Sequence, residues 1–371
     1  MLALLPLAAV PLSAALRYGV GASPLWVFVV ASVGVMALAY HISEATETVA
    51  ETAGPAVGGL LNVSFGSVAE LVLAIFVLAD GQAAVVRAQI TGSIIVTGLL
   101  GLGLAILVGG LTSERQTFKR ERAGLLSSLL IVVLIALLLP AVFDMVVRAN
   151  PKGADVALSD EHLSLGVSLV LLALYAGNLV YTLITHRDVF SRQGGAEGGA
   201  GGTADGTADG GEKAGGGKAG LALPLGVMVV GTAVLAFEAE LVSGALEATA
   251  TQLHLSPLFL GVVVLALVGT SADLFAAALF AHRDRMGLVM DICIGSAIQV
   301  ALVVAPLLVV ASFLLGRPMT LVFANPLDLF AIAATAFAVN AVAADGETTW
   351  FEGLLLVGVY ALLALAYLFA G

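Results

Sequence analysis

The chain has 371 residues, of which 60% are hydrophobic and 11% charged, and a net charge of −11. Soluble domains carry about 45–50% apolar and about 25% charged residues, so a cytosolic enzyme and a secreted domain are excluded, and the acidic balance leaves no basic footprint for nucleic acid. A single cysteine, Cys293, excludes an internal disulfide and a cysteine-based zinc site. Eleven apolar runs are each long enough to cross about 30 Å of hydrocarbon at about 1.5 Å per residue. They lie near residues 2–20, 24–42, 55–79, 88–111, 124–147, 163–185, 221–241, 257–281, 288–315, 320–344 and 351–370. Continuous runs of this kind predict an all-α polytopic membrane protein and not the alternating strands of a barrel. The first run has no basic start and its only charge, Arg17, lies at its far end, which speaks against a cleaved leader.

With the N-terminus inside, the inner loops hold ten of the fifteen Lys and Arg residues, among them Arg115, Lys119, Arg120, Arg122, Arg283 and Arg285. The outer loops hold five: Arg17, Arg87, Arg148, Lys152 and Arg317. The positive-inside rule therefore places the N-terminus in the cytoplasm and the C-terminus outside. The Gly/Ala-rich stretch from Gln193 to Gly220 cannot bury enough apolar surface to fold and reads as a flexible cytoplasmic linker.

The linker divides two halves that repeat. Gly66-Ser67-Val68-Ala69-Glu70 lies within an apolar run of the first half, and Gly269-Thr270-Ser271-Ala272-Asp273 within one of the second. Gly92-Ser93 begins twenty-two residues after Glu70, and Gly295-Ser296 twenty-two after Asp273. Glu44 and Glu51 are seven apart, as are Glu240 and Glu247; Gly58 and Gly261 each stand twelve before the carboxylate of their half. Five spans per half is an odd number, so the second copy enters the membrane from the opposite side. That is the inverted repeat of secondary transporters, whose substrate site lies at the midplane between the copies.

Glu70 and Asp273 are each flanked by apolar residues on both sides, with no Lys or Arg in either span. An acid at mid-depth is tolerated only when paired, protonated or bound to a cation. Two facing carboxylates with neutral oxygen donors suit a hard cation such as Ca2+. The donors at hand are Ser67, Ser93, Thr270, Ser271, Ser296 and Gln299, while Gly66, Gly92, Gly269 and Gly295 allow helix breaks or close approach. Protons and the divalent cation then compete for the same two groups, and that competition couples their fluxes. Glu44, Glu47 and Glu51 follow the second run, and Glu238, Glu240 and Glu247 the seventh; they read as solvated turns or as a vestibule that concentrates cations. Asp328 reads as a helix-break cap or a proton path, Asp291 and His41 as interfacial groups, and the basic run from Arg115 to Arg122 as an orientation signal or a contact to anionic lipid. No HExxH or Gly-x-Ser-x-Gly motif is present, so no enzyme is expected.

The stretch from Gly58 to Leu71, GGLLNVSFGSVAEL, resembles the first signature of the Ca2+/H+ antiporter branch of the cation/Ca2+ exchanger superfamily, GGLLNATFGNAVEL. Ser43 to Glu47 is similar to that branch's SEATE, and Ala266 to Leu274 loosely to its PIVGNAAEH. Gly295 to Leu302 resembles GSSIQIAL, Gly316 to Leu321 resembles GQPMTL, and Asp345 to Gly353 resembles DGKSNWLEG.

The resemblance implies one leading helix (residues 1–22) and two inverted five-helix repeats, 23–187 and 221–371, joined by the linker at 188–220. It implies Ca2+ efflux driven by proton influx across a bacterial inner membrane, with Ca2+ and H+ as substrates and no cofactor. Glu70 and Asp273 take the positions of the metal-binding, proton-exchanging acids, Gln299 and the two Gly-Ser pairs take supporting ones, and Glu240 and Glu247 fall where the branch has acids. The departures gather at the site: Ser67 and Thr270 replace Asn, Asp273 replaces Glu, Leu274 replaces His, and Thr97 stands where Asn is frequent. Na+-coupled Ca2+ exchange, or monovalent Na+(K+)/H+ antiport at the same site, is the alternative.

Overall fold

The computed structural model describes residues 6–53, 65–111, 113, 115–149, 156–180 and 219–370. The described chain is nearly all helix. Helix α1 (Ala9–Ala14) runs on through a wide π turn (Ala15–Val20) and stops at Gly21, whose φ of 64° is left-handed. Then follow α2 (Pro24–Ala53), α3 (Val68–Ala79), α4 (Ala83–Gly110), α5 (Arg120–Ala149) and α6 (Val156–Val180). The second half contains α7 (Ala219–Leu253), α8 (Pro257–Gly269), α9 (Ser271–His282), α10 (Met286–Leu314), α11 (Pro326–Asp345) and α12 (Trp350–Ala370). Two short strands, β1 (Gln116–Thr117) and β2 (Glu347–Thr348), pair antiparallel with Gln116 opposite Thr348.

Among the described residues, eight helices are long and apolar enough to cross a membrane, and α8 with α9 forms a further candidate bent by 56°. The apolar runs of the sequence predict eleven spans. The run at 2–20 is helical from Ala9, and α3 is the described remainder of the run at 55–79. Residues 54–64, with Gly58, and 181–218 lie outside the described residues, and Ala219 and Gly220, expected at the end of the linker at 188–220, begin α7 instead. The tenth run begins later than expected, at Pro326. There Asn325 Oδ1 accepts the Leu327 N–H at 2.9 Å and proline fills the first helical position, where no N–H is needed. Helix α7 continues to Leu253, so Glu238 is a mid-helix residue at 0% exposure and not a solvated turn.

In a bilayer every backbone polar group must be satisfied within the protein, so burial is decided between helices. Helices α4 and α10, which carry the two Gly-Ser pairs, are the most enclosed of the spanning helices, whereas α7 leaves most of its apolar surface outside the bundle. Both contain a wide π turn just beyond the pair, at Val96–Gly101 and Val300–Val304. Such turns commonly mark functional positions. Helices α2 and α7 lie side by side and antiparallel: Gly34 abuts Glu238, and Gly231 abuts Ile42. The strand pair, Arg115–Glu347 (3.7 Å) and Arg122–Asp291 (2.8 Å) gather one set of loops. At a second set, Ser243 donates to Asp80 at 2.5 Å, Arg87 to the Thr320 carbonyl at 3.4 Å, and Arg317 to the Ala79 carbonyl.

Candidate cation site

Helices α3 and α9 are each 12 residues long, and each follows a break in the backbone. The breaks fall at Gly66-Ser67 and at Thr270. Glu70 is the third residue of α3 and Asp273 the third of α9, so both acids stand in a helix's first turn. Free N–H groups and the helix dipole favour negative charge there. At the second break, Thr270 Oγ1 donates to the Ala266 carbonyl and Ser271 Oγ to the Val268 carbonyl, each at 2.8 Å. These bonds hold the bend and occupy both hydroxyl protons, leaving the oxygens' lone pairs.

The two carboxylates lie within range of each other's charge. Glu70 is 2% exposed; the Ser67 and Ser93 hydroxyls stand beside it, but neither carboxylate oxygen completes a hydrogen bond among the described residues. Its side chain lies against Gly269, where a β-carbon would come within 2.9 Å of Glu70 Cγ. Asp273 accepts a 2.6 Å hydrogen bond from Ser296 Oγ and lines a cavity of about 360 Å³ shared with Gly66, Asp291, Gly295, Ser296 and Gln299. The signature glycine of each half thus lies at the acid of the other half, Gly269 in contact with Glu70 and Gly66 around the cavity with Asp273. Asp273 opens to the cavity, whereas Glu70 is buried and is not among the residues that line it. Among the described residues no three His, Cys, Asp or Glu side chains cluster, so a cation here would rest on two carboxylates and neutral oxygens.

The other candidates separate. Gly92 is pressed against the Val262 carbonyl and Ala266, whereas Gly295 has open space where a β-carbon would be. Thr97 is buried and bonded to the Ser93 carbonyl at 2.8 Å. Leu274 packs towards Gly101 of α4, an apolar contact at the position where the resemblance has His. Glu44 is exposed and pairs with His41 at 3.6 Å; Glu240 and Glu247 are exposed on α7, and the Glu51 side chain lies outside the described atoms. Because α2 and α7 are antiparallel, Glu44 and the pair on α7 lie towards opposite ends of that helix pair, and none of these acids lines the cavity. Asp328 accepts a 2.6 Å bond from Tyr367 OH at a site apart from the two acids. Arg115 and Arg122, in the run read as an orientation signal or a contact to anionic lipid, each form an ion pair, with Glu347 and Asp291.

Two buried groups are not evident from the sequence. Gln89 is 2% exposed and donates to the Glu70 carbonyl at 3.2 Å, while its own Oε1 lacks a partner among the described residues. Its only signal is an amide inside an apolar run, four residues before Ser93. Glu238 accepts a 2.7 Å bond from Ser13.

The model of the sodium/calcium exchanger protein family matches residues 23–184 and 223–369. The chain belongs to this family. Among its relatives, the Ca(2+)/H(+) antiporter of Aphanothece halophytica is 36% identical over 92% of this chain and 90% of its own. The Ca(2+)/H(+) antiporter of Synechocystis is 36% identical over 97% and 95%. The solved structure of native YfkE superposes with a TM-score of 0.79 at 29% identity, covering 98% of both chains. The two matched segments of the family model stop on either side of the Gly/Ala-rich stretch, so the homology is carried by the helical halves.

Proposed function

We propose that the protein is a secondary active antiporter that exports Ca2+ in exchange for H+. The observation that carries this reading is the pairing of Glu70, buried with neither carboxylate oxygen completing a hydrogen bond among the described residues, with Asp273, which lies within range of its charge and opens to a cavity. A carboxylate buried without a partner needs a proton or a cation. Two such groups side by side accept either two protons or one divalent ion far more readily than they tolerate two bare charges. Exchange follows when the site crosses the membrane in one of those loaded forms. The names of the near full-length relatives support the choice of Ca2+ and H+.

The finer arrangement belongs to the same proposal. One leading helix precedes two five-helix repeats of inverted topology, 23–187 and 221–371, with a cytoplasmic linker at 188–220. The separation of the loops into two sets, one at the β1–β2 pair and one at Asp80 and Arg317, supports it. Glu70 and Asp273 bind the ion; Ser67, Ser93, Thr270, Ser271, Ser296 and Gln299 supply neutral oxygens. The protein resides in the cytoplasmic membrane of a bacterium, with Ca2+ and H+ as its partners and no cofactor.

The shorter Asp273 and the apolar Leu274 favour a second reading, Na+-coupled Ca2+ exchange or Na+(K+)/H+ antiport at the same acids. Proteoliposomes with an imposed proton gradient separate the two. Ca2+, Na+ and K+ are added in turn while internal pH and cation uptake are followed, with Glu70→Gln as control. Collapse of the gradient by Ca2+ and not by Na+ or K+, lost in the variant, is expected. A response to Na+ or K+ instead transfers the site to the second reading. Full transport by Glu70→Gln removes the two-carboxylate site altogether.

A further inference from the structure

Asp291 lies on α10 two turns before Gln299, and Gly295 stands midway, so the three share one helix face. Asp291 and Gln299 line the cavity that holds Asp273. Asp291 also lines a second cavity of about 590 Å³, formed where the β1–α5 loop meets the α9–α10 turn, together with Lys119, Arg122, Asp284 and Arg285. Arg122 lines that outer basin and reaches across to Asp291, Nη2 to Oδ2 at 2.8 Å. The ion pair therefore stands where basin and site cavity meet. Inward of it, a β-carbon at Gly295 would meet no atom within 4 Å, so the helix face is bare between Asp291 and Gln299.

We infer that Asp291 is a docking carboxylate for the transported cation at the mouth of the site and that Arg122 is its tethered competitor. A divalent ion passing from the basin to Asp273 passes Asp291, the acid that lines both cavities. It gains both oxygens of that carboxylate only as the guanidinium swings away, because Oδ2, 2.8 Å from Nη2, has no room for a second cation. The side chains are 41% and 22% exposed, so the pair is half-solvated and can open without stranding a buried charge. Arg122 thereby sets the apparent affinity on one face of the membrane and does not touch the ion at Glu70 and Asp273. The inference rests on the Ca2+ reading of those two acids.

The test measures Ca2+-dependent proton movement in everted and in right-side-out vesicles for the wild type, Arg122→Gln, Asp291→Asn and the double variant. Arg122→Gln is expected to lower the KM for Ca2+ about fivefold, near the upper end of what a half-exposed ion pair contributes. The shift appears on one face only, with kcat nearly unchanged. Asp291→Asn is expected to raise KM on that face, and the double variant to match Asp291→Asn, since the arginine then has nothing to compete for. A pair that merely staples α5 to α10 would give equal losses of kcat and thermal stability in both single variants, and that result overturns the inference. Unchanged KM in both variants, with wild-type exchange intact, overturns it too and leaves the Ca2+/H+ reading standing. Wild-type protein that exchanges no Ca2+ overturns both.

Discussion

The hydroxyl of Ser296 is the clearest single contact at the site, because it donates to Asp273 Oδ2 at 2.6 Å inside a cavity. A hydrogen bond to a charged group contributes about 1.5–3 kcal/mol. Ser296→Ala is therefore expected to raise the KM for Ca2+ about tenfold or more while the protein still reaches the membrane, measured by uptake against immunoblotted protein. Gly269→Ala acts on the other acid. Its β-carbon would stand 2.9 Å from Glu70 Cγ and 3.4 Å from Glu70 Cα, so the carboxylate must move off its position. Transport is expected to fall at least tenfold, since a binding constellation works only with its groups held within about 0.5 Å of the productive geometry. Full activity in Gly269→Ala would mean that Glu70 does not work from the position seen here. Both acids are legible in the sequence, since a carboxylate within a long apolar run is too costly to keep unless it holds a proton or a cation. Gln89 is not, because an amide is a weaker anomaly and its bond to a main-chain oxygen has no sequence signature.

Helix breaks and close crossings set where those residues meet. The sequence presents Gly92-Ser93 and Gly295-Ser296 as twins, yet the helices use them differently. A β-carbon at Gly92 collides with the Val262 carbonyl of α8, main chain that cannot swing aside; at Gly295 it meets nothing. Gly92→Ala is expected to destabilise the protein by about 1–3 kcal/mol, the usual cost of overpacking. Gly295→Ala is expected to leave stability unchanged or slightly raised, since alanine is the better helix former. Thermal unfolding in detergent compares them; equal melting points would deny the α4–α8 crossing. Helix existence is legible from apolar runs alone. Helix limits are not, because a bilayer rewards any apolar residue: α7 runs well past residue 241, carrying Glu238 in its middle, and α11 waits for the Asn325 cap. The 56° bend is invisible to hydropathy for the same reason; the Thr270 and Ser271 hydroxyls that bond back to Ala266 and Val268 look like any polar pair in a sequence.

At the scale of the whole molecule, the two motifs recur in the sequence in the same order and spacing, while the way the two halves interlock is not legible there. Asp273 faces a cavity and Glu70 is sealed, an inequality that two matching motifs do not announce. The proposed topology hangs on the broken pair α8 and α9. If they form one bent span, α7 ends on the face opposite to the one where α10 begins. If instead they dip in and return, both lie on the same face, the repeats cease to be inverted, and alternating access loses its symmetry argument. Gln252, in the last turn of α7, and Arg283, just beyond α9, are both exposed and bracket the pair. The native Cys293 is buried at 2% exposure, so it contributes little background to thiol labelling. In whole cells treated with a membrane-impermeant maleimide, Gln252→Cys is expected to label and Arg283→Cys to stay dark; in everted vesicles the pattern reverses. Labelling of both from one side would turn the bend into a re-entrant loop. It would also place the Arg122–Asp291 mouth on the same face as the end of α7, so that the basin could no longer serve as the entrance from the cytoplasm.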